Sequence, residues 1–336
     1  MKRLLVIGML VALATLTIGA GPASAQAPFY QGKTMTIAVG GGGAIDVSAR
    51  IIANHLGKYI PGKPGIIVQT MPGGAHLLAT NHAFSVAKPD GLTLLALNSA
   101  VGIAQLMKVE AVRFDLRKFG WLGSTGGDGV VVAIRTDLPY KTFDEFRKSG
   151  KELVAGTTGP GSNAHDIPLL LSEFAGAKFR LVSGYPANSD ILLALERKEV
   201  DIWTATATSV KLAVDRGSVR AIVRNRVPYP GFEYLPVDED LATGALGKTI
   251  MGVRSAPSAI GRAFAVTPGT PVDRVKMLQE AFAQAMKDPE LLAEAAKAKV
   301  PFDYLSPETV AKNIAALVDQ PPEIQKEMVK YIRFGK

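Results

Sequence analysis

The chain has no cysteine in 336 residues. That excludes disulfides, a thiol nucleophile, and cysteine-ligated zinc or iron–sulfur centres. It also excludes lipid attachment at a mature N-terminal cysteine. Histidine is scarce, with four residues at positions 55, 76, 82 and 165. No HExxH occurs, and His76 and His82 stand six apart, off a common helix face, so no metal site is expected. Dense Lys/Arg clusters are absent as well, which argues against nucleic acid. Low-complexity stretches, short repeats and Gly/Ser linkers are also missing, so beads on a string do not fit.

What is present is a distinctive N-terminus. Lys2 and Arg3 precede the apolar run Leu4 to Ala20, and Ala23-Ser24-Ala25 follows with small residues at both peptidase positions. This order reads as a secretory signal peptide, residues 1–25, cleaved after Ala25. A membrane anchor is the alternative, but the run is short for a span of roughly 20 residues. The mature protein is expected to be exported. An exported chain without disulfides depends on its core alone, and a chain of this length is expected to form two domains.

The composition is 47% hydrophobic and 20% charged, ordinary for an α/β protein. Formal net charge is +8 from 38 basic and 30 acidic residues; without Lys2 and Arg3 it is +6, which suits anionic ligands.

Thr34 to Val39 reads as a strand, Asp46 to Tyr59 as a helix, Ile66 to Val68 as a strand, Leu77 to Val86 as a helix and Leu92 to Leu97 as a buried strand. Strand–helix–strand order at this spacing predicts a parallel sheet with right-handed crossovers. The grammar repeats from Val130 to Thr204. Thr142 there has the sequence of a helix N-cap, with Glu145 completing a capping box. Ala263 to Thr267 reads as one more strand. Helices are expected at 272–286, 289–298, 307–317 and 323–331. Two α/β lobes joined by crossing strands fit this order, with lobe 1 at 26–133 and 254–336 and lobe 2 inserted at 134–253.

Two glycine loops each lie between a strand and a helix: Gly40-Gly41-Gly42-Gly43-Ala44-Ile45-Asp46, and Gly156 to His165. Glycine permits positive φ, and successive backbone N–H groups at a helix N-terminus form an anion nest. The alternative for the first is a plain turn in which Asp46 caps its own helix. Equivalent loops in two lobes place two helix N-termini on one cleft, and Thr158, Ser162 and Asn163 add side-chain donors. His165 is better explained as a hydrogen-bonded structural residue than as a ligand contact. Nucleotide motifs fail: Asp46 stands where the dinucleotide fingerprint needs its third glycine, and Ala242 where a P-loop ending at Gly247-Lys248-Thr249 needs its first. Neither glycine loop contains Arg or Lys, so backbone donors are expected to hold the anion, with Arg50 facing solvent or a neighbouring carboxylate.

From about Tyr30 onward the sequence resembles the periplasmic solute receptors of tripartite tricarboxylate transporters, the Bug proteins. The matching pieces are VGGGGAIDVSAR at 39–50, MPGGA at 71–75, Pro89 to Leu94 as Pro-Asp-Gly-x-Thr-Leu, Gly159 to His165, Tyr185 to Asp201, Pro268 to Pro271, and Asp288 to Glu290. The resemblance implies an α/β two-lobed periplasmic binding protein of type II-like architecture. Each lobe is a mixed sheet flanked by helices, and the cleft closes around a small carboxylate. Carried over by position, the ligand-binding residues are Gly42, Gly43, Ala44, Asp46, Gly74, Thr158, Gly161, Ser162, Asn163, Tyr185 and Thr206. Thr206 or a neighbour stands where the family often has an acidic residue, and the proline before the first glycine pair is missing. The implied partners are a di- or tricarboxylate, or a related organic acid, and separate membrane subunits; a monomer without cofactor is expected. An enzyme is not expected, since Ser162 sits in GPGSNA and not in G-x-S-x-G. The alternatives are a periplasmic enzyme using Asp46 or His165 as general base, and a sensory carboxylate-binding protein on the same fold.

Overall fold

The computed structural model describes residues 28–332 except 74, 75 and 128, so the predicted signal segment lies outside the described residues. The first part of the chain runs β1 (Thr34–Val39), α1 (Gly43–Leu56), β2 (Gly65–Thr70), α2 (Leu77–Ser85), β3 (Thr93–Asn98), α3 (Val101–Leu106) and β4 (Gly120–Ser124). The middle runs β5 (Val130–Arg135), α4 (Phe143–Ser149), β6 (Leu153–Thr157), α5 (Asn163–Ala175), β7 (Phe179–Ser183), α6 (Asn188–Glu196), β8 (Ile202–Thr206), α7 (Ala207–Asp215) and β9 (Val219–Arg224). The chain then returns through α8 (Ala245–Ile260), β10 (Arg262–Val266), α9 (Val272–Ala285), α10 (Pro289–Lys297), α11 (Pro307–Val318) and α12 (Pro322–Tyr331).

Two five-stranded mixed sheets result, ordered β2-β1-β3-β10-β4 and β7-β6-β8-β5-β9. They follow one plan. In each, three strands of the βαβ part are parallel, and a strand from elsewhere in the chain inserts antiparallel: β10 between β3 and β4, and β5 between β8 and β9. By position β1 corresponds to β6 and β3 to β8, so the two glycine loops leave equivalent central strands. All of β5 lies in the second sheet, so the boundary expected between residues 133 and 134 falls inside a strand. Likewise the return at 254 falls inside α8. Helix α8 reaches both sides: Thr243, just before it, bonds Phe174 and its Ser255 bonds Asp238, while its Pro257 and Ala259 carbonyls accept from Ser99 and Asn313.

Strand periodicity of two sorts side chains into separate cores. Along β5, Val130, Val132 and Ile134 enter the core shared with α8, whereas Val131 and Ala133 enter the outer core of the second sheet with Trp203 and Val210. Along β10, Ala263 and Ala265 face the shared core, while Phe264 and Val266 face α1 and α9. Phe264 stacks on Phe282 at 5.3 Å. Truncating a ring buried like Phe282 to alanine costs about 3–5 kcal/mol. Capping also follows the sequence: Thr142 Oγ1 accepts from Glu145 N–H, though the Glu145 carboxylate takes Lys141 N–H, one residue outside the expected box. No helix among the described residues is long and apolar enough to cross a membrane.

Candidate functional site

The carboxyl ends of β1, β3, β6 and β8 meet at a cleft of about 630 Å³. In open α/β sheets, ligand crevices form at this end of the strands. Gly41 to Ile45 form one wall. Asn98 closes β3 and Ser99 and Ala100 follow it, Gly161 to Asn163 follow β6, and Thr206 closes β8. The N-termini of α1, α5 and α7, together with the turn into α3, thus converge on one space.

The α1 end is the most open. Gly41, Gly42 and Gly43 take φ of 84°, 78° and 67°, and Gly42 caps the helix with no side-chain bond. A Cβ at Gly42 or Gly43 would meet nothing within 4 Å, so the bare backbone faces the cleft. No side chain accepts the first-turn N–H groups of Gly43, Ala44 and Ile45. The α5 end is partly self-satisfied. Ser162 Oγ accepts from His165 N–H at 3.2 Å and donates to Gly159 O at 2.7 Å, and Gly161 N–H donates to Asp166 at 3.0 Å. At α7, Thr206 Oγ1 accepts from Ser209 N–H and donates to Ser209 Oγ.

Of the residues expected from sequence, Gly42, Gly43, Ala44, Gly161, Ser162, Asn163 and Thr206 line this cleft together. Asp46, Thr158 and Tyr185 do not. The Asp46 carboxylate turns back along α1 to Arg50 at 3.0 Å, the neighbouring carboxylate expected for that arginine. Thr158 is exposed just past the end of β6. Tyr185 follows the edge strand β7; its N–H donates to Thr157 O at the end of β6, and its ring packs beside Gly156 against the outer core of the second sheet. Gly74 lies outside the described residues. His165 is hydrogen-bonded to Asp166 at 3.0 Å, as a structural histidine would be.

The cleft also holds residues that sequence reasoning missed: His76, Asn98, Ser99, Arg254, Ser258 and Arg262. Two are cationic side chains that neither glycine loop carries. Arg254 comes from α8; its Nε lies 2.7 Å from Asp166 Oδ2, and its Nη2 donates to Gly161 O at 3.2 Å. Burial opposes ionisation of Asp166, but bonds from His165, Arg254 and Gly161 N–H outweigh it and hold the carboxyl below its usual range. Arg262, opening β10, donates from Nη2 to Pro301 O at 2.9 Å. Among the described residues no Asp or Glu lines the cleft. Helix termini and guanidinium groups therefore set a positive field there, suited to an anion.

His55, Asp288 and Glu290 lie close enough to share a cation, away from the cleft. Lys58 Nζ already sits 2.6 Å from Glu290 and 3.4 Å from Asp288, so an ammonium serves that cluster.

Comparison with known proteins agrees with this geometry. The family model described as tripartite tricarboxylate transporter family receptor matches residues 48–329. A UPF0065 protein of Bordetella pertussis is 25% identical over 285 residues, covering 82% of this chain and 84% of that protein. A ligand-free TctC solute binding protein from Polaromonas superposes with a TM-score of 0.71 at 20% identity, over 90% of this chain and 99% of that one. The malate-bound MatC of Rhodopseudomonas palustris superposes with a TM-score of 0.57 at 21% identity, over 89% and 97%. With the family model spanning most of its length, the chain belongs to the tripartite tricarboxylate transporter family receptors, which are solute-binding proteins and not enzymes.

Proposed function

We propose that this chain is a periplasmic receptor that captures a small carboxylate between its two sheets and hands it to membrane subunits of a tripartite transporter. The observation that carries the reading is the convergence of the α1, α5 and α7 N-termini on one cleft with no acidic side chain among its described lining residues. Backbone N–H groups at uncapped helix ends bind carboxylates through charge-assisted hydrogen bonds of about 1.5–3 kcal/mol each. A volume of about 630 Å³ admits a di- or tricarboxylate with ordered water. The malate held by MatC is a dicarboxylate of this kind. Arg254 is committed to Asp166 and Gly161, so it shapes the second loop, with its charge balanced by the Asp166 carboxylate. Export to the periplasm rests on the basic–apolar–small order of residues 1–25.

A thermal-shift screen of mono-, di- and tricarboxylates tests this. A true ligand at a hundredfold excess over its Kd stabilises by about 2.7 kcal/mol. If no carboxylate raises the melting temperature, the reading is wrong.

A further inference from the structure

We infer that His76 is a specificity-determining residue of the cleft, presenting a neutral imidazole N–H to an oxygen atom of the bound solute. The inference rests on the carboxylate-receptor reading and adds a discriminating contact to it.

Among the described residues, five other than glycine adopt positive φ: Lys63, His76, Lys108, Lys198 and Lys299. The four lysines are exposed. His76 differs: it stands at φ 74°, ψ 0°, directly before α2, and lines the cleft. Left-handed non-glycine residues are strained, persist only where their surroundings hold them, and gather at ligand clamps. Here the backbone lays the ring across the first glycine loop. A Cβ at Gly40 would fall 2.3 Å from His76 Nδ1 and 2.8 Å from its Cβ and Cγ, so only glycine fits beneath the ring.

Among the described residues the ring makes no hydrogen bond that would explain this position. It does not cap α2, whose N-terminus has no side-chain bond. The nearby Thr80 hydroxyl donates to the His76 carbonyl, not to the ring. Nδ1 is buried with no partner among the described residues. A neutral imidazole carries one N–H and one bare nitrogen. Orphaned buried N–H groups are rarer than under-used acceptors, so the bare nitrogen belongs at Nδ1 and the proton at Nε2. Burial lowers the basicity of the ring and keeps it uncharged near neutral pH. With Nδ1 pressed on Gly40, the Nε2 edge is the one left for the cleft.

A neutral donor adds little to binding of net charge, which the helix ends and arginines already serve. It adds a test for an oxygen at one place. Sites built to donate to a substrate oxygen reject analogues lacking it far more strongly than apolar pockets reject an extra group. The solute is therefore expected to carry a hydroxyl or keto oxygen beside the anion seated at α1.

Calorimetry with succinate against malate, and glutarate against 2-oxoglutarate, tests the assignment on the purified protein, His76→Gly and His76→Asn. Glycine frees the backbone and removes the ring; asparagine tolerates the left-handed turn and keeps an N–H. The wild type should prefer the oxygenated member of at least one pair. His76→Gly should lose that preference by about tenfold, equivalent to about 1.4 kcal/mol, with an apo melting temperature unchanged or higher. His76→Asn should lie between. In ¹⁵N-histidine spectra, the resonance missing from His76→Gly should report a neutral ring with its proton on Nε2, and should move when malate or 2-oxoglutarate binds. An unchanged preference in His76→Gly, or a ring signal indifferent to bound ligand, overturns the proposal. Failure of the wild type to bind any of the four acids overturns the carboxylate reading, and this inference with it.

Discussion

Arg254 reaches from α8 to within 2.7 Å of Asp166 in the first turn of α5, with 7% and 0% of the two side chains exposed. The same guanidinium donates to Gly161 O, and the same carboxylate accepts Gly161 N–H. The second glycine loop is thus clamped through both of its backbone groups at Gly161 by an ion pair from a helix far along the chain. Removing one member of a buried pair leaves the other uncompensated, at about 3–5 kcal/mol. Arg254→Met should therefore destabilise by about 3 kcal/mol in urea denaturation at pH 7. Adding Asp166→Asn to it should restore part of the loss. A drop below about 1 kcal/mol would show that the clamp is incidental.

Asp238 gives a pH signature of opposite kind. Burial pushes its carboxyl up to about 7, only partly offset by the Ser255 hydroxyl and the charge of Arg254. The native state then holds a proton that the unfolded state releases near pH 4. Stability from this group is full below about pH 4 and is lost as pH rises through about 7. Asp238→Asn imitates the protonated acid. It should gain stability over the wild type between about pH 4 and about pH 7 and gain no more above that. Parallel pH profiles for the two proteins would refute the assignment.

Gly42 stands at φ 78°, ψ 152°, open to the cleft. Alanine there should lose about 1–2 kcal/mol of stability from backbone strain and at least tenfold in carboxylate affinity. Gly217→Ala is the control for a positive-φ glycine away from the cleft: φ is 74° with equally open space, in the turn between α7 and β9. It should show the strain without the affinity loss. Equal affinity losses in both variants would mean that the first loop is not the seat of the anion.

Arg50 and Arg262 should separate cleanly. Arg50 is exposed and paired with Asp46 one turn away, an interaction of about 0.5 kcal/mol. Arg50→Gln should leave affinity within twofold, whereas Arg262→Gln should weaken it several-fold because Arg262 lines the cleft. Calorimetry with the ligand found by thermal shift decides this; the reverse ranking contradicts the site.

Two glycine loops on separate sheets grip one small anion best when the sheets approach. Small-angle scattering should show a smaller radius of gyration with saturating ligand. An unchanged radius counts against closure.

The β-rich runs, the two glycine loops and the C-terminal helices were legible because their signals are local: period-two burial in β5 and β10, a Thr142 cap, Pro at the first turn of α10, α11 and α12. Helix α8 was not. Its Gly247-Lys248-Thr249 resembled the end of a P-loop, and its Gly252 and Pro257 are poor helix formers. Tertiary packing overrides that: a Cβ at Gly247 would sit 2.8 Å from the Phe174 ring, so the glycine is there to let α8 approach α5. Arg254, carried by this helix, consequently gave no local sign of its place in the cleft. Asp46, Thr158 and Tyr185 show the converse. They neighbour the right motifs, but a one-turn ion pair, an exposed bend and an edge strand turn them elsewhere.

By itself the sequence determined the chemistry excluded by the missing cysteines, the α/β grammar, and the two strand–glycine–helix turns that supply backbone donors. These depend on residue type and on neighbours a few positions away. Tertiary structure alone decided which turns share a space and what charge surrounds them. Inserting β10 and β5 antiparallel into their sheets, and running α8 across both, brings Arg254 to Asp166 and Arg262 to the rim, while the parallel pairing of β1 with β2 sets His76 onto Gly40. Those pairings span tens of residues and arise from assembly of the sheets, which no local pattern encodes.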